Sequence, residues 1–281
     1  MAPHWTLDQQ RNFESILQNL RVNTRCLLYW ECDTLELDDM QIFVEAFNTN
    51  RSLNGFSWKF EVLSLDAFQL FCNMICSKST ILHLSLSNTH LNDAQVVILS
   101  TAISANSILK ALDLRDCQLV DNSVKSLSNM LKHNCTLNIL DLRSNLISEI
   151  GATELSNALC TNTSLTYLDL DNTSIGDRGI ASLSIALRQN ATLKTLSLVN
   201  TGAGDAGYMS LIRVLEDGDA NALSYNEMDA ICRHIGCHAA HVLRRYADSG
   251  NVTLCFLYMG YNPMGSEALR RRLYNLMSLR H

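Results

Sequence analysis

A leucine pattern that returns every 28 residues constrains this chain more than any other feature. Leu-x-x-Leu-x-Leu recurs with one constant step, at residues 109–114, 137–142, 165–170 and 193–198. The same step continues toward the N-terminus, with Ile81-Leu84-Leu86, Leu53-Phe56-Trp58, and Leu28 with Trp30. Toward the C-terminus the spacing fails once, and the pattern returns at Leu254-Leu257-Met259, 61 residues after Leu193. Because so many matches at fixed offsets do not arise by chance, the sequence predicts an array of structural repeats.

Each repeat combines the spacing of a strand with the spacing of a helix. The Leu-x-Leu core has period two, as a short strand requires, whereas Ile180, Leu183 and Leu187 follow one another at helical steps of three and four. We expect Gly151, Gly179 and Gly207 to permit unusual backbone angles where the loop turns into the helix. Two polar columns also recur, one at Thr89, Cys117, Asn145, Thr173, Thr201 and Asn262, and one at Asn106, Asn134, Asn162 and Asn190.

Such units bury their apolar side only by stacking on one another. Strands stack about 4.8 Å apart and helices about 8–10 Å apart, so the array must bend with its strands inside. The predicted fold is therefore an α/β horseshoe solenoid with a parallel concave sheet and convex helices. Repeat length, polar column and helix resemble the ribonuclease-inhibitor-like class of leucine-rich repeats, over roughly residues 25–270. Ran GTPase-activating proteins and the sensor domains of NOD-like receptors belong to the same class.

The ends of the chain and one interruption define the expected domain organisation. We assign residues 1–24 to an N-terminal helical cap and residues 25–281 to a solenoid of about eight units. The cap helix is expected at residues 6–20, where Thr6-x-x-Gln9 is a capping-box pattern. A helical insertion is expected at about 218–250 and a C-terminal helical cap at about 264–281. Residues 224–247 favour an inserted helix, with a decayed repeat as the alternative.

Charge and composition narrow the classes of partner. The net charge is −6, which argues against nucleic acid as a partner and weakly favours a basic protein. The N-terminal residues contain no signal-peptide pattern, and no stretch approaches a membrane span, so no membrane association is expected. The ten cysteines include no CxxC pair, and reduced thiols in a cytoplasmic protein are therefore expected.

Residues with catalytic or metal-binding potential are few. His234, His238 and His241 fall on one face of the expected insertion and resemble zinc ligands, although solvent-facing histidines are the preferred interpretation. Cys72 and Cys76 lie one helical turn apart and are expected to fill the core. The sequence contains no phosphate-binding loop, nucleophile elbow or zinc-protease helix, so we expect neither a cofactor nor enzymatic activity.

The strand positions that face outward are the candidate protein-binding residues. The central concave face is expected to carry an aspartate row beside two arginines, with a tyrosine and a fourth aspartate adjoining. These residues are Asp113, Asp141, Asp169, Arg115, Arg143, Tyr167 and Asp171. Like charges at strand spacing repel, so the arginines or a partner must compensate them. A second candidate is the aromatic cluster Phe256, Tyr258 and Tyr261, which either anchors an interface or packs under the insertion.

These features together predict a protein–protein interaction module that binds a partner protein on its concave face. The alternative is a GTPase-activating protein similar to the Ran activators, which the resemblance alone implies. No residue here matches the functional loop of those activators. The sequence does not indicate the oligomeric state.

Overall fold

The computed structural model describes residues 6–22, 27–77 and 80–217, together with the backbone of residues 256–258. The described strands form one parallel sheet whose order follows the chain. They are β1 (Leu27–Leu35), β2 (Gly55–Leu63), β3 (His83–Ser85), β4 (Ala111–Asp113), β5 (Ile139–Asp141), β6 (Tyr167–Asp169), β7 (Thr195–Ser197) and β8 (Phe256–Tyr258). Neighbouring strands from β1 to β7 pair at a shift of 28 residues, as Leu112 does with Leu140, which confirms the register predicted from the leucines.

A helix follows each strand from β1 to β7, and one more precedes β1. These helices are α1 (Leu7–Val22), α2 (Leu37–Thr49), α3 (Leu65–Ser77), α4 (Asp93–Ala105), α5 (Asp121–His133), α6 (Glu149–Leu159), α7 (Gly176–Gln189) and α8 (Asp205–Asp217). Each helix contacts the next one along the chain. Strands on one side and helices on the other make the chain an α/β solenoid, as predicted.

The repeat leucines form one continuous core between sheet and helices. The three leucines of the triplet at residues 137–142 are fully buried, as are those at residues 109–114 and 165–170. On the helix side, Leu127, Leu155 and Leu183 are equally inaccessible. The leucines of the strand pattern and those of the helix pattern therefore pack into the same core.

Helix α1 covers the N-terminal end of this core. Thr6 and Gln9 form reciprocal hydrogen bonds, with Thr6 N donating to Gln9 Oε1 (2.8 Å) and Gln9 N donating to Thr6 Oγ1 (3.3 Å). The helix buries Phe13, Ile16 and Leu20. The expected N-terminal helix is thus present, while the division of the whole chain into cap, solenoid and insertion stays a prediction.

The first two strands are longer than the short strands expected, with nine residues each against three in the next five. Three residues after the end of each strand from β3 to β7, the backbone takes a positive φ, at Asn88, Asp116, Ser144, Asn172 and Asn200. Cys32 and Phe60 occupy the same repeat position in β1 and β2 and remain extended. Because Asn, Asp and Ser tolerate the left-handed region better than Phe, the turn forms only in the later repeats.

The prediction that Gly151, Gly179 and Gly207 adopt unusual backbone angles is wrong. All three lie inside helices, and none is among the residues with positive φ. Their small size is what matters, because a Cβ on Gly151 would lie 2.6 Å from Asp121 Oδ1. The same carboxylate oxygen accepts a hydrogen bond from Gly151 N (3.0 Å), so the glycine lets one repeat cap the next helix.

Both polar columns bond buried backbone groups between repeats. In the turn after the strand, Asn145 Nδ2 donates to Leu114 O (2.8 Å) and its Oδ1 accepts from Cys117 N (3.0 Å). In the turn after the helix, Asn134 Nδ2 donates to Ile103 O (2.8 Å) and its Oδ1 accepts from Leu137 N (2.8 Å). These ladders satisfy backbone groups that neither sheet nor helix can pair.

Several predictions fall on residues that the structure does not describe. They are the insertion at about 218–250, the C-terminal cap at about 264–281, the three histidines of the possible zinc site, and Tyr261. Within the described ranges, no helix is both long and apolar enough to cross a membrane.

Candidate protein-binding surface

The aspartates predicted for the concave face stack in register on neighbouring strands. Asp113 pairs with Asp141, Asp141 pairs with Asp169, and Asp169 pairs with Ser197. Paired strands lie about 4.8 Å apart, so three carboxylates form a closely spaced row. This row runs along the middle of the surface that strands β4 to β6 present.

Two arginines compensate the first two members of the row. Arg115 contacts Asp113 (Nη2 to Oδ2, 3.0 Å), and Arg143 contacts Asp141 (Nη2 to Oδ2, 2.7 Å). The arginine side chains remain 44% and 38% exposed, respectively. Each carboxylate also accepts a hydrogen bond from the backbone N–H of its arginine. The guanidinium groups are therefore held in place and still reachable from solvent.

The third repeat of the row breaks this pattern, because Asp171 stands where the preceding repeats have arginine. Asp169 accepts from Tyr167 Oη (3.0 Å) and from Asp171 N (3.0 Å). Asp171 Oδ1 accepts from Ser197 Oγ (2.5 Å) and Val199 N (2.7 Å). Among the described residues, neither Asp169 nor Asp171 forms an ion pair. Uncharged hydroxyl and backbone N–H groups instead donate hydrogen bonds to both carboxylates.

Burial changes the proton affinity of this row. Desolvation raises the pKa of Asp141, Asp169 and Asp171 above the usual carboxyl value. Repulsion from Asp171 adds to the increase in the pKa of Asp169. Desolvation, followed by the negative charge of Asp169, likewise raises the pKa of Tyr167. Tyr167 consequently acts as a hydrogen-bond donor throughout the physiological range.

Two of the aspartates expected to face outward are buried. Asp141 is 8% exposed and Asp169 is 2% exposed, whereas Asp113, Tyr167 and Asp171 are half-buried. Their described hydrogen bonds run to residues two positions away in the same repeat, so the two buried carboxylates position other groups and offer little surface themselves.

A row of less polar side chains flanks the aspartates on the concave face. Ala111, Ile139 and Tyr167 are paired across β4, β5 and β6, two residues before the aspartates. Ile139 is 39% exposed. The concave surface of these three repeats thus carries three parallel rows. The aspartate row lies between a less polar row and a row that contains the two arginines and Asp171.

An apolar patch adjoins this surface at the edge where strands lead into helices. Val120, Leu146 and Ile150 are 40%, 66% and 62% exposed, and Leu146 N donates to Leu119 O (2.9 Å). The leucine pattern did not predict this edge patch. Its signal was available, because His90, Gln118 and Ser174 fill the Leu146 position in neighbouring repeats.

The sequence model for the family described as "Leucine Rich repeat" matches residues 105–128, 133–156 and 161–184. Those three matches cover the repeats that carry the aspartate row. Residues 105–184 of the chain therefore consist of leucine-rich repeats. No protein with a curated description matches the sequence at a significant level.

Solved structures similar to this leucine-rich-repeat solenoid include three proteins of low sequence identity. Leiomodin-1 actin-binding site 2 has a TM-score of 0.46 and 23% identity, covering 55% of this chain and 90% of that one. The C-terminal domain of a Caenorhabditis elegans tropomodulin has a TM-score of 0.34 and 14% identity, covering 73% and 92%. An internalin from Listeria monocytogenes has a TM-score of 0.39 and 17% identity, covering 60% and 41%.

The remaining candidates lie elsewhere on the leucine-rich-repeat solenoid. Phe256 and Tyr258 are on β8, where Tyr258 pairs with Ser197 of β7, so β7 separates Tyr258 from Asp169 in the same column of the sheet. Cys72 is fully buried, as expected for a core residue, whereas Cys76 is half-buried and its Sγ donates to Ala102 O (2.8 Å). No group of described His, Cys, Asp or Glu side chains has the arrangement of a metal site.

Proposed function

We propose that this chain is a protein–protein interaction module that binds a partner on the concave face of strands β4 to β6. The observation that carries the proposal is the accessible Ile139, which lies across the aspartate row from two arginines whose guanidinium groups are held by carboxylates. A preorganised cation costs less conformational entropy on binding than a free one. Exposed arginine and aromatic side chains are also the types that dominate binding energy at interfaces.

The charge pattern favours one orientation of the bound partner across strands β4 to β6. Arg115 and Arg143 lie on β4 and β5 repeats and favour acidic or carbonyl groups of the partner. Asp171, in the β6 repeat, is half-buried, has no ion pair among the described residues and favours a basic group there. A partner with basic and acidic side chains in the matching order would satisfy both ends.

The edge patch supports a contact area larger than the concave face alone. Leu146 follows Arg143 by three residues, so a partner seated against the arginines lies close to Leu146 and Ile150. A stable interface buries about 800 Å² on each side, which favours using both surfaces. Phe256, Tyr258 and Tyr261 stay a separate candidate surface.

Affinity capture with matched isoleucine variants tests the proposal. Ile139→Glu and Ile150→Glu change the proposed surface, while Ile185→Glu places the same charge on the outer face of α7, where Ile185 is 60% exposed. We expect proteins captured by the wild-type chain and by Ile185→Glu, identified by mass spectrometry, to be lost with Ile139→Glu. Each variant should unfold thermally close to the wild type, because all three positions are exposed.

Equal capture by the wild type, Ile139→Glu and Arg143→Ala would place the binding surface elsewhere. Stimulation of GTP hydrolysis in a panel of small GTPases would support the GTPase-activating alternative instead. We also propose a cytoplasmic location, because the six described cysteines are free thiols, as a reducing compartment favours.

A further inference from the structure

Strand β1 has a long outer edge that no described strand covers. It is the first strand of the sheet, with β2 on one side and no described strand on the other. Its nine residues, at about 3.3 Å each, give an edge of about 30 Å, whereas strands β3 to β7 have three residues each. A strand edge presents N–H and C=O groups that can pair with another extended chain.

The hydrogen bonds of the later strands show which backbone groups of β1 point outward. Ala111, on the concave side, donates its N–H backward to Leu82 O of the preceding repeat (3.0 Å). The core residue Leu86 instead donates forward to Asp113 O (2.9 Å). Register and strand alternation give four residues of β1 the position of Ala111. Their N–H and C=O groups therefore point away from β2, and they are Leu27, Tyr29, Glu31 and Asp33.

These outward groups have one partner within the described chain. Asn12 of α1 donates from its Nδ2 to Glu31 O over 3.4 Å. The side chains on this edge are accessible, since Leu27 is 67% and Tyr29 is 59% exposed. Proteins commonly protect such an edge with proline, lysine or a bulge. Strand β1 contains neither proline nor lysine, and it keeps one register with β2 from Leu27 to Leu35.

The charged groups at this edge favour a basic occupant. Glu31 and Asp33 line a shallow cleft between β1 and α1, and no basic side chain lines it. Lys59 of β2 compensates Glu31 (Nζ to Oε1, 2.6 Å). Asp33 accepts a hydrogen bond from Gln9 Nε2 (2.6 Å) and forms no ion pair with any described residue. Its negative charge is therefore available to a ligand.

The cleft has room for the end of one side chain. Its volume is about 20 Å³, which is enough for a group the size of a water molecule or an ammonium. Phe13 and Trp30 also line it, so a lysine can pack its alkyl stem on apolar surface and keep its charge near Asp33. On α1, Arg11 pairs with Asp8 (3.8 Å) and does not supply this cation.

We propose that the outer edge of β1 binds an extended segment of a partner protein, which adds a strand to the sheet and places a lysine beside Asp33. In this mode main-chain hydrogen bonds give affinity and side chains give specificity. A second copy of this chain is a poorer occupant, because its own β1 has no basic residue to place there. Strands β2 and β3 separate this edge from β4, so the site is independent of the proposed concave surface.

Two synthetic peptides test the charge preference. Both have about nine residues, the length of β1, and alternate threonine with valine around a central residue. That residue is lysine in one peptide and glutamate in the other, and the pattern reads the same in both directions. Titrated against the full chain by fluorescence anisotropy, the lysine peptide should bind at least tenfold more tightly. Equal affinity, or no binding of the lysine peptide, overturns the proposal.

Backbone methylation of the lysine peptide tests strand addition itself. In a paired strand, alternate residues direct their N–H groups to the neighbour, so a methyl group on those nitrogens removes the hydrogen bonds. Methylating one alternate set of amides should abolish binding, whereas methylating the other set should leave the affinity within about threefold. Equal effects of the two sets contradict binding at a strand edge.

Matched variants of the chain test the location. Tyr29→Ala and Tyr29→Pro both remove the side chain, but only proline also removes the outward N–H. Tyr29→Pro should bind the lysine peptide at least tenfold more weakly than Tyr29→Ala, with thermal unfolding confirming that both fold. Asp33→Asn should reduce the preference for lysine at least fivefold, whereas Asp38→Asn, at an exposed position on α2, should leave it unchanged.

Two outcomes of these experiments count against the site. Equal peptide affinity of Tyr29→Pro and Tyr29→Ala overturns the assignment to β1. Sedimentation of the chain alone checks the competing occupant, and we expect no association through this edge. A wild-type dimer that Tyr29→Pro converts to a monomer would show that a second copy occupies the edge, and it would overturn the proposal.

Discussion

Replacing Asn162 by alanine should destabilise this solenoid far more than the loss of one exposed amide would. Asn162 is 4% exposed and lies in the turn between α6 and β6. Its Nδ2 donates to Leu131 O (2.7 Å) and Asn134 O (3.2 Å), both in the preceding repeat. Its Oδ1 accepts from Ser164 N (3.0 Å) and Leu165 N (2.7 Å). One side chain therefore satisfies four backbone groups in two repeats.

The magnitude follows from the partners that remain after the substitution. Asn134 O keeps a hydrogen bond from Ser164 Oγ (3.3 Å), so three backbone groups lose the asparagine without a second side-chain partner among those described. An unsatisfied buried group costs about 1–3 kcal/mol, and such costs are only partly additive. We therefore expect Asn162→Ala to lower the free energy of unfolding by about 3–5 kcal/mol.

Urea unfolding followed by circular dichroism measures this difference through the midpoint and slope of the transition. Asn157→Ala is the matched control, because Asn157 is an exposed asparagine on the adjoining helix α6. It should change the free energy of unfolding by less than about 0.5 kcal/mol. If Asn162→Ala is as stable as Asn157→Ala, the asparagine ladder does not hold the repeats together and the energetic reasoning is refuted.

Three further outcomes are expected from the same unfolding assay. Leu140→Ala, at a fully buried position, should lower the free energy of unfolding by about 2–5 kcal/mol. Ile139→Ala, at the exposed position next to it, should lower it by less than about 1 kcal/mol. Similar losses for the two variants would contradict the predicted register. Gly151→Ala should destabilise by about 1–3 kcal/mol through its clash with Asp121, where helix propensity alone predicts a gain of about 1 kcal/mol. Asp169→Asn should raise the free energy of unfolding at pH 7, and this gain over the wild type should shrink as the pH is lowered to about 4. If the difference between the two proteins does not change with pH, the charge of Asp169 is not its cause.

The sign of the last prediction follows from proton binding. Burial raises the pKa of Asp169, so the folded chain holds this proton more tightly than the unfolded chain does. The stability of the wild type therefore falls as the pH rises through the interval between the two pKa values. Asparagine has no such proton, and it keeps an amide oxygen that accepts from Asp171 N. The difference between the two proteins is thus greatest above the raised pKa.

The leucine and asparagine columns could be predicted from the sequence because their roles depend on period alone. A fixed step of 28 residues places Leu112, Leu140 and Leu168 in the same pleat of neighbouring strands, whatever the surrounding side chains are. The same step places Asn134 and Asn162 in identical turns. Fold class, register and core consequently follow from residues compared along the chain.

Only the tertiary structure decided which parts of this framework remain accessible. The sequence treats Asp113, Asp141 and Asp169 alike, yet their exposure differs, because it depends on the side chains of the repeats on either side. The glycine at position 151 likewise owes its place to a carboxylate in the preceding repeat, and not to its own backbone angles. Periodicity fixes where a residue stands within its repeat, whereas burial and charge compensation arise between repeats, where the pattern is no longer uniform.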